Sequence, residues 1–388
     1  MKPISADSHV VEGPEVFTGL AKRFGDQAPR VMQVGNQADC IVIPERGSRG
    51  VNVAQMGMAA TRLSRVSPLE RKPGHKPDVA NMQDPELVEL FTKGYSGMRP
   101  GLRDGAQRYQ DQDADGIAAE FLYPGFFPMF NFPNVELLVA IQKNYNDWLH
   151  DYATASDNRL FGLAAIPLQD PAAGLEELQR VINLGFKGGC IPCTSPADRP
   201  YYDLAYEPIW SLAEEAEFPL SMHVGCNAYL PRAQRGPKLR RDSITDYAGS
   251  QATVQRTIIE LMCRGVCERH PLLKFVVAEF NAGWIAHWLS RVDQGLQREL
   301  RQSSEPYRGA SPQEIWNRQF YATLEDDVPA LLTRHLIGES NLMWGSDYPH
   351  TDSTWPCSED VLEEIFKDFD DSVKAKVTRG NVALLYRL

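Results

Sequence analysis

Short apolar, β-rich runs alternate with amphipathic helical patterns along most of the chain, and that alternation leaves few folds open. The runs are Ile4–Val10, Ala118–Tyr123, Leu160–Pro167, Phe186–Ile191, Phe218–Val224, Leu273–Glu279, Gln319–Leu324 and Asn341–Asp347. Strands spaced by helices are the mark of parallel βαβ units. Right-handed crossovers then make successive strands neighbours. An open doubly wound sheet is the alternative, but it does not explain eight such evenly placed units. The fold class expected is α/β, a (β/α)8 TIM-type barrel. Between the strands, Leu138, Ile141, Tyr145, Trp148 and Tyr152 recur at spacings of three and four, as do Leu175, Leu178, Val181 and Ile182, with Gly185 as a stop.

A length of 388 residues suits one such domain with an insertion, spanning 1–388. The insertion follows the first strand, over approximately 11–116. It holds a hairpin pattern, VMQVGNQADCIVI, turning at Gly35–Asn36, and a Pro/Gly/Met-rich stretch with little periodicity. In that position it is expected to cover the barrel mouth as a lid. The last thirty residues read as two closing helices.

The formal net charge of −11 argues against nucleic acid or an anionic membrane surface as a partner. No apolar run approaches a membrane span, and MKPISADSHV lacks a signal-peptide core, so the cytoplasm is the expected compartment. Cys190 and Cys193 form a lone C-x-x-C, read as incidental thiols; Cys263 and Cys267, at helical spacing, read as packing residues.

Catalytic residues of such barrels sit at the C-terminal ends of strands. Strand one ends in Asp7-Ser8-His9, strand five in His223, strand six in Glu279 and strand eight in Asp347. Asp7 and His9 are two apart, so both point to one face. Each alone has an ordinary reading: a satisfied strand-end histidine, a helix cap, a buried ion-pair partner. Together they form a mixed nitrogen and oxygen ligand set for Zn, Fe or Mn, because converging buried charges need a cation to offset their desolvation. His350, three residues past Asp347, is a further ligand candidate. His75, His150, His270, His287 and His335 read as structural.

These motifs also carry a resemblance. DSHV, SMHVG and WGSDYPHTDSTWP resemble the amidohydrolase superfamily and, within it, the aminocarboxymuconate-semialdehyde-decarboxylase-like branch, called amidohydrolase-related; PLQDP and RGNVALLYRL extend the likeness over nearly the whole chain. The resemblance implies a barrel with one or two metal ions held by Asp7, His9, His223 and Asp347. Two departures stand out: Asp-x-His replaces the commoner His-x-His, a variation seen in the branch, and Glu279 stands where decarboxylase members use a histidine. A carboxylate there suits a second metal or a base for water.

The function expected is therefore metal-dependent hydrolysis of an acyl bond (ester, thioester or amide) in a small, partly apolar organic acid derivative, with Asp347 as first base and Glu279 as second. The alternatives are non-oxidative decarboxylation of an aromatic or unsaturated acid, oxygen chemistry at a dinuclear Fe site, and a non-catalytic barrel subunit. YPGFFPMFNFP offers Tyr123, Phe126, Phe127 and Phe130 as an apolar substrate wall or as core beneath the lid. Arg232 and Arg235, in an arginine-rich loop with Lys238, Arg240 and Arg241, read either as a clamp for a carboxylate or phosphate or as a solvated loop or homodimer contact.

Overall fold

The computed structural model describes residues 1–33, 39–44, 50–57, 85–230, 243–302, 307 and 309–388. The Gly35–Asn36 turn, His75 and the 232–241 arginine cluster lie outside the described residues. Eight parallel strands form a nearly closed barrel in the order β1 (Ile4–His9), β5 (Ala119–Tyr123), β6 (Leu160–Ala165), β7 (Gly188–Ile191), β8 (Leu220–His223), β9 (Phe275–Ala278), β10 (Phe320–Leu324) and β11 (Leu342–Trp344). Every apolar run of the sequence contains one of these strands. They are buried almost without interruption, as strands covered on both faces must be.

Two compact units share the chain, one of residues 1–129, 136–165 and 344–379, the other of 130–135, 166–343 and 380–388. In the first unit, β1 pairs with β5 and β5 with β6. The insertion contributes a three-stranded antiparallel sheet of β2 (Arg30–Gln33), β3 (Asp39–Val42) and β4 (Val51–Asn52). Arg30 lies opposite Val42 and Gln33 opposite Asp39, one residue off the pairing of Gln33 with residue 38 that a two-residue turn at Gly35–Asn36 would set. Helix Val135–Thr154 buries Leu138, Ile141, Tyr145 and Tyr152 along one side. Trp148 stays half-buried, and Leu149 takes the core place beside it.

In the second unit, helix Pro171–Asn183 starts where Asp170 accepts from the N–H groups of Ala172 and Ala173, with Pro171 at the first position, where no donor is needed. It buries Leu178 and Val181, and Gly185 follows at φ +89°. Two local expectations are corrected here. Cys263 and Cys267 do not share a helix, because Gly265 at φ +86° separates Gln251–Cys263 from Val266–Arg269. The C-terminal segment is not two helices but three short ones, Ser358–Phe366, Asp371–Ala375 and Asn381–Tyr386, with a π turn at Lys376–Gly380.

Candidate metal centre

The first unit brings Asp7, His9, Asp347 and His350 together. Asp7 and His9 stand at the end of β1 and are 2% and 0% exposed. The pairing of β1 with β5 slips between Ser5 and Ser8, so one extra residue is accommodated in the stretch that holds Asp7, just before His9. A serine cluster fixes this slip: the hydroxyls of Ser5, Ser8 and Ser346 lie 2.9–3.2 Å apart, and Ser346 N–H donates to Ser5 Oγ. Asp347 N–H donates to Asp7 O at 2.9 Å and His9 N–H to Tyr348 O at 2.6 Å. Gly345 makes this closure possible, since a Cβ there would overlap the Cβ of Asp7.

His9 Nδ1 lies 2.9 Å from Pro124 O. A carbonyl only accepts, so Nδ1 carries the proton and Nε2 presents a lone pair. That lone pair faces Asp347 Oδ1 at 3.3 Å and Asp7 Oδ1 at 3.7 Å. His350 Nδ1 donates to Asp347 Oδ1 at 2.8 Å, and its ring stacks on His9 with centroids 3.8 Å apart. Asp347 sits at φ +56°, an uncommon conformation for a residue with a side chain.

In the second unit, His223 ends β8, fully buried, with Nδ1 2.7 Å from Val224 O. Its Nε2 therefore also presents a lone pair, here 3.0 Å from Glu279 Oε2. Glu279 follows β9 directly at φ +58°, held by its N–H bond to Thr323 Oγ1 at 2.9 Å. Imidazole lone pairs directed at carboxylate oxygens in buried surroundings repel unless a cation lies among them. The donor chemistry thus fits a divalent metal with mixed nitrogen and oxygen ligands.

The other sequence candidates are placed as follows. Tyr123, Phe126 and Phe130 are fully buried, whereas Phe127 keeps part of its ring exposed. The Phe127 ring meets His9 and His350 edge-on, with centroids 5.8 and 6.0 Å away. Arg232 and Arg235 lie outside the described residues. His287 and His335 are exposed, and His270 is held between Glu207 at 3.0 Å and Glu214 at 3.4 Å. Burial pushes the Cys193 and Cys226 thiols well up, which keeps them protonated; Cys226 Sγ is 3.9 Å from Cys190 Sγ.

Two features escaped the sequence reading. Arg108 is fully buried and donates to both oxygens of Glu120 at 2.9 and 3.0 Å, and to the carbonyls of His9 and Tyr348 at 3.2 and 3.4 Å. Glu120 inside a buried strand was the available signal, since a charge there needs a partner. Glu12, also fully buried, accepts from the N–H groups of Gly125 and Phe126. No helix among the described residues is long and apolar enough to cross a membrane.

Comparison with known proteins settles the family. The amidohydrolase model matches residues 94–388, about three quarters of the chain. The chain belongs to the amidohydrolase family. Its relatives are enzymes, among them γ-resorcylate decarboxylase of Rhizobium sp. (strain MTP-10005), 25% identical over 308 residues that cover 72% of this chain and 86% of the relative. The crystal structure of an amidohydrolase from Mycobacterium avium subsp. paratuberculosis K-10 shares the fold with TM-score 0.77 at 20% identity, covering 99% of both chains. The 5-carboxyvanillate decarboxylase of Novosphingobium aromaticivorans, solved with manganese and 4-hydroxy-3-methoxy-5-nitrobenzoic acid, aligns with TM-score 0.67 at 18% identity over 100% of this chain and 96% of that one.

Proposed function

We propose that this amidohydrolase is a metal-dependent decarboxylase of small aromatic carboxylic acids. The observation that carries the reading is the half-buried Phe127 ring standing edge-on to His9 and His350 beside the carboxylate of Asp347. An apolar ring wall next to imidazole and carboxylate donors suits a flat substrate that is apolar on its face and anionic at its edge. The relatives support this chemistry: one is named for decarboxylating γ-resorcylate, and a decarboxylase of the same fold was solved with manganese and a nitrobenzoic acid. They reverse the order in which the sequence ranked hydrolysis and decarboxylation.

In this reading Asp7, His9 and Asp347 are ligands of a divalent ion, and His223 with Glu279 offers a second pair of donors of the same kind. The ion supplies a Lewis acid for the substrate's oxygen atoms. Asp347, oriented by His350, relays a proton from water to the ring carbon as the bond to the carboxylate breaks. The electron pair of that bond stays on the ring carbon and takes the proton, carbon dioxide leaves, and Asp347 is left ionised as before. Phe127 and its loop keep bulk water from the ring, and the insertion after β1 is proposed to cover the mouth.

Glu279 favours a second reading. Its carboxylate stands where decarboxylases of the branch use a histidine, 3.0 Å from His223 Nε2, and suits a base that activates water on an acyl bond. Manganese- or zinc-loaded protein offered hydroxybenzoic acids should release carbon dioxide in step with loss of the acid, followed by membrane-inlet mass spectrometry. Release of free acid from esters or thioesters, with no carbon dioxide from any aromatic acid, would overturn the first reading in favour of the second.

A further inference from the structure

Glu12 lies three residues beyond His9, where the chain leaves β1. Its carboxylate receives the N–H of Gly125 at 2.9 Å and that of Phe126 at 3.0 and 2.9 Å, one contact to each oxygen. Two successive N–H groups converging on one acceptor form an anion nest, which favours the ionised acid. The same exit segment holds the start of the loop: Val10 N–H donates to Tyr123 O at 3.1 Å, and His9 Nδ1 to Pro124 O. Gly125 permits the approach, because a Cβ there would overlap Val10 O. Phe127 N–H then closes the turn on Gly125 O at 3.1 Å. The loop is therefore set residue by residue from β1, and Glu12 holds its crown.

What this crown presents is Phe127. Tyr123, Phe126 and Met129 are fully buried, while the Phe127 ring keeps exposed surface beside His9 and His350. We infer that Glu12 is a positioning residue for the substrate: its carboxylate fixes the Gly125–Phe127 turn and so sets where the Phe127 ring meets the substrate ring. This rests on the aromatic-acid reading for its substrate readout, but not for the latch itself.

The latch is poised. Burial pushes the Glu12 carboxyl up to about 7 against the pull of the N–H groups. From the loop it faces backbone donors alone. Tyr95, whose hydroxyl donates to Glu12 O at 2.6 Å, is its ionisable neighbour, with Asp39 and Glu15 around that tyrosine. Burial and those acids push Tyr95 well up, so it keeps its proton throughout the neutral range. Protonating Glu12 puts a hydroxyl among N–H donors and loosens the turn.

The test uses zinc-loaded protein with 4-fluorophenylalanine in place of Phe127. Its fluorine resonance should titrate with a midpoint near pH 7 in the otherwise unchanged chain, and should be flat and displaced in Glu12→Gln. A second arm measures binding of 4-hydroxy-3-methoxy-5-nitrobenzoate by calorimetry. Glu12→Gln and Phe127→Ala should each weaken it by up to about tenfold, the scale of one aromatic contact, at unchanged zinc content. The double variant should bind no worse than Phe127→Ala, because Glu12 acts through that ring. Multiplying effects, or a fluorine signal indifferent to both pH and Glu12→Gln, would overturn the inference. If no aromatic acid binds the unchanged protein, the proposed function falls, and the fluorine titration still decides the latch.

Discussion

Replacing Arg108 by Met should separate two things this side chain does. The guanidinium neutralises Glu120 in a fully buried setting and lies 4.3 Å over the Tyr348 ring. Without it, Glu120 keeps, among the described residues, Gln112 Nε2 at 3.0 Å as its side-chain donor. Stranding one buried charge costs about 3–5 kcal/mol. At about 2.1 cal/mol/K of unfolding entropy per residue, 388 residues give about 0.8 kcal/mol/K, so Tm should fall by about 4–6 °C. The double variant Arg108→Met/Glu120→Leu removes both charges and should recover most of that stability. It still lacks the donors to His9 O and Tyr348 O, the carbonyls flanking the ligand segments, so metal affinity should stay depressed while Tm returns. Calorimetric melting and zinc titration of the three proteins read the two effects separately. A single-variant loss below about 1 kcal/mol would refute the buried-charge argument. Full recovery of zinc affinity in the double variant would refute the positioning role.

His9→Ala and His223→Ala should each strip most bound metal while leaving the far-ultraviolet circular dichroism unchanged, as elemental analysis will show. Gly345→Ala should cost about 1–3 kcal/mol by overpacking against Asp7 and lower metal content as well, measured by urea denaturation and metal analysis. Glu279→Gln should leave decarboxylation running if the first functional reading holds, and abolish acyl hydrolysis if the second does. Burial also raises Asp115 to about 7, like Glu12. Both carboxyls bind protons more tightly folded than unfolded, so their contribution to stability is full below about pH 4 and is lost as pH rises through about 7. Urea midpoints should reveal this as a stabilising component on moving from pH 8 to pH 5, weakened in Glu12→Gln.

The barrel was legible because period and spacing are local signals: each β-rich run needed only its own residues to be recognised. The ligand candidates were legible for a related reason, since a barrel presents its strand ends to one face, and Asp7, His9, His223, Glu279 and Asp347 are unusual residues to find there. What escaped depends on partners distant in sequence. Arg108 looks like one more surface arginine until Glu120 and two carbonyls surround it. The slip in β1 is invisible without the serine of residue 346. The aromatic loop reads equally as substrate wall or as core, and tertiary packing divides it, taking Tyr123, Phe126 and Phe130 inward and leaving Phe127 partly uncovered. Nothing in the helical spacing of Cys263 and Cys267 announces that Gly265 breaks the helix between them.

The closure of β1 on the segment after β11 has a consequence for synthesis. A ribosome makes Asp7 and His9 some 340 positions before Gly345, Ser346 and Asp347, which lock them in place. A nascent chain therefore carries these two side chains through that whole stretch of translation without the backbone bonds that aim them. An interrupted product ending before Gly345 would hold a strand with no seam to join. Assembly of this donor pair therefore waits until the chain has been made past Asp347.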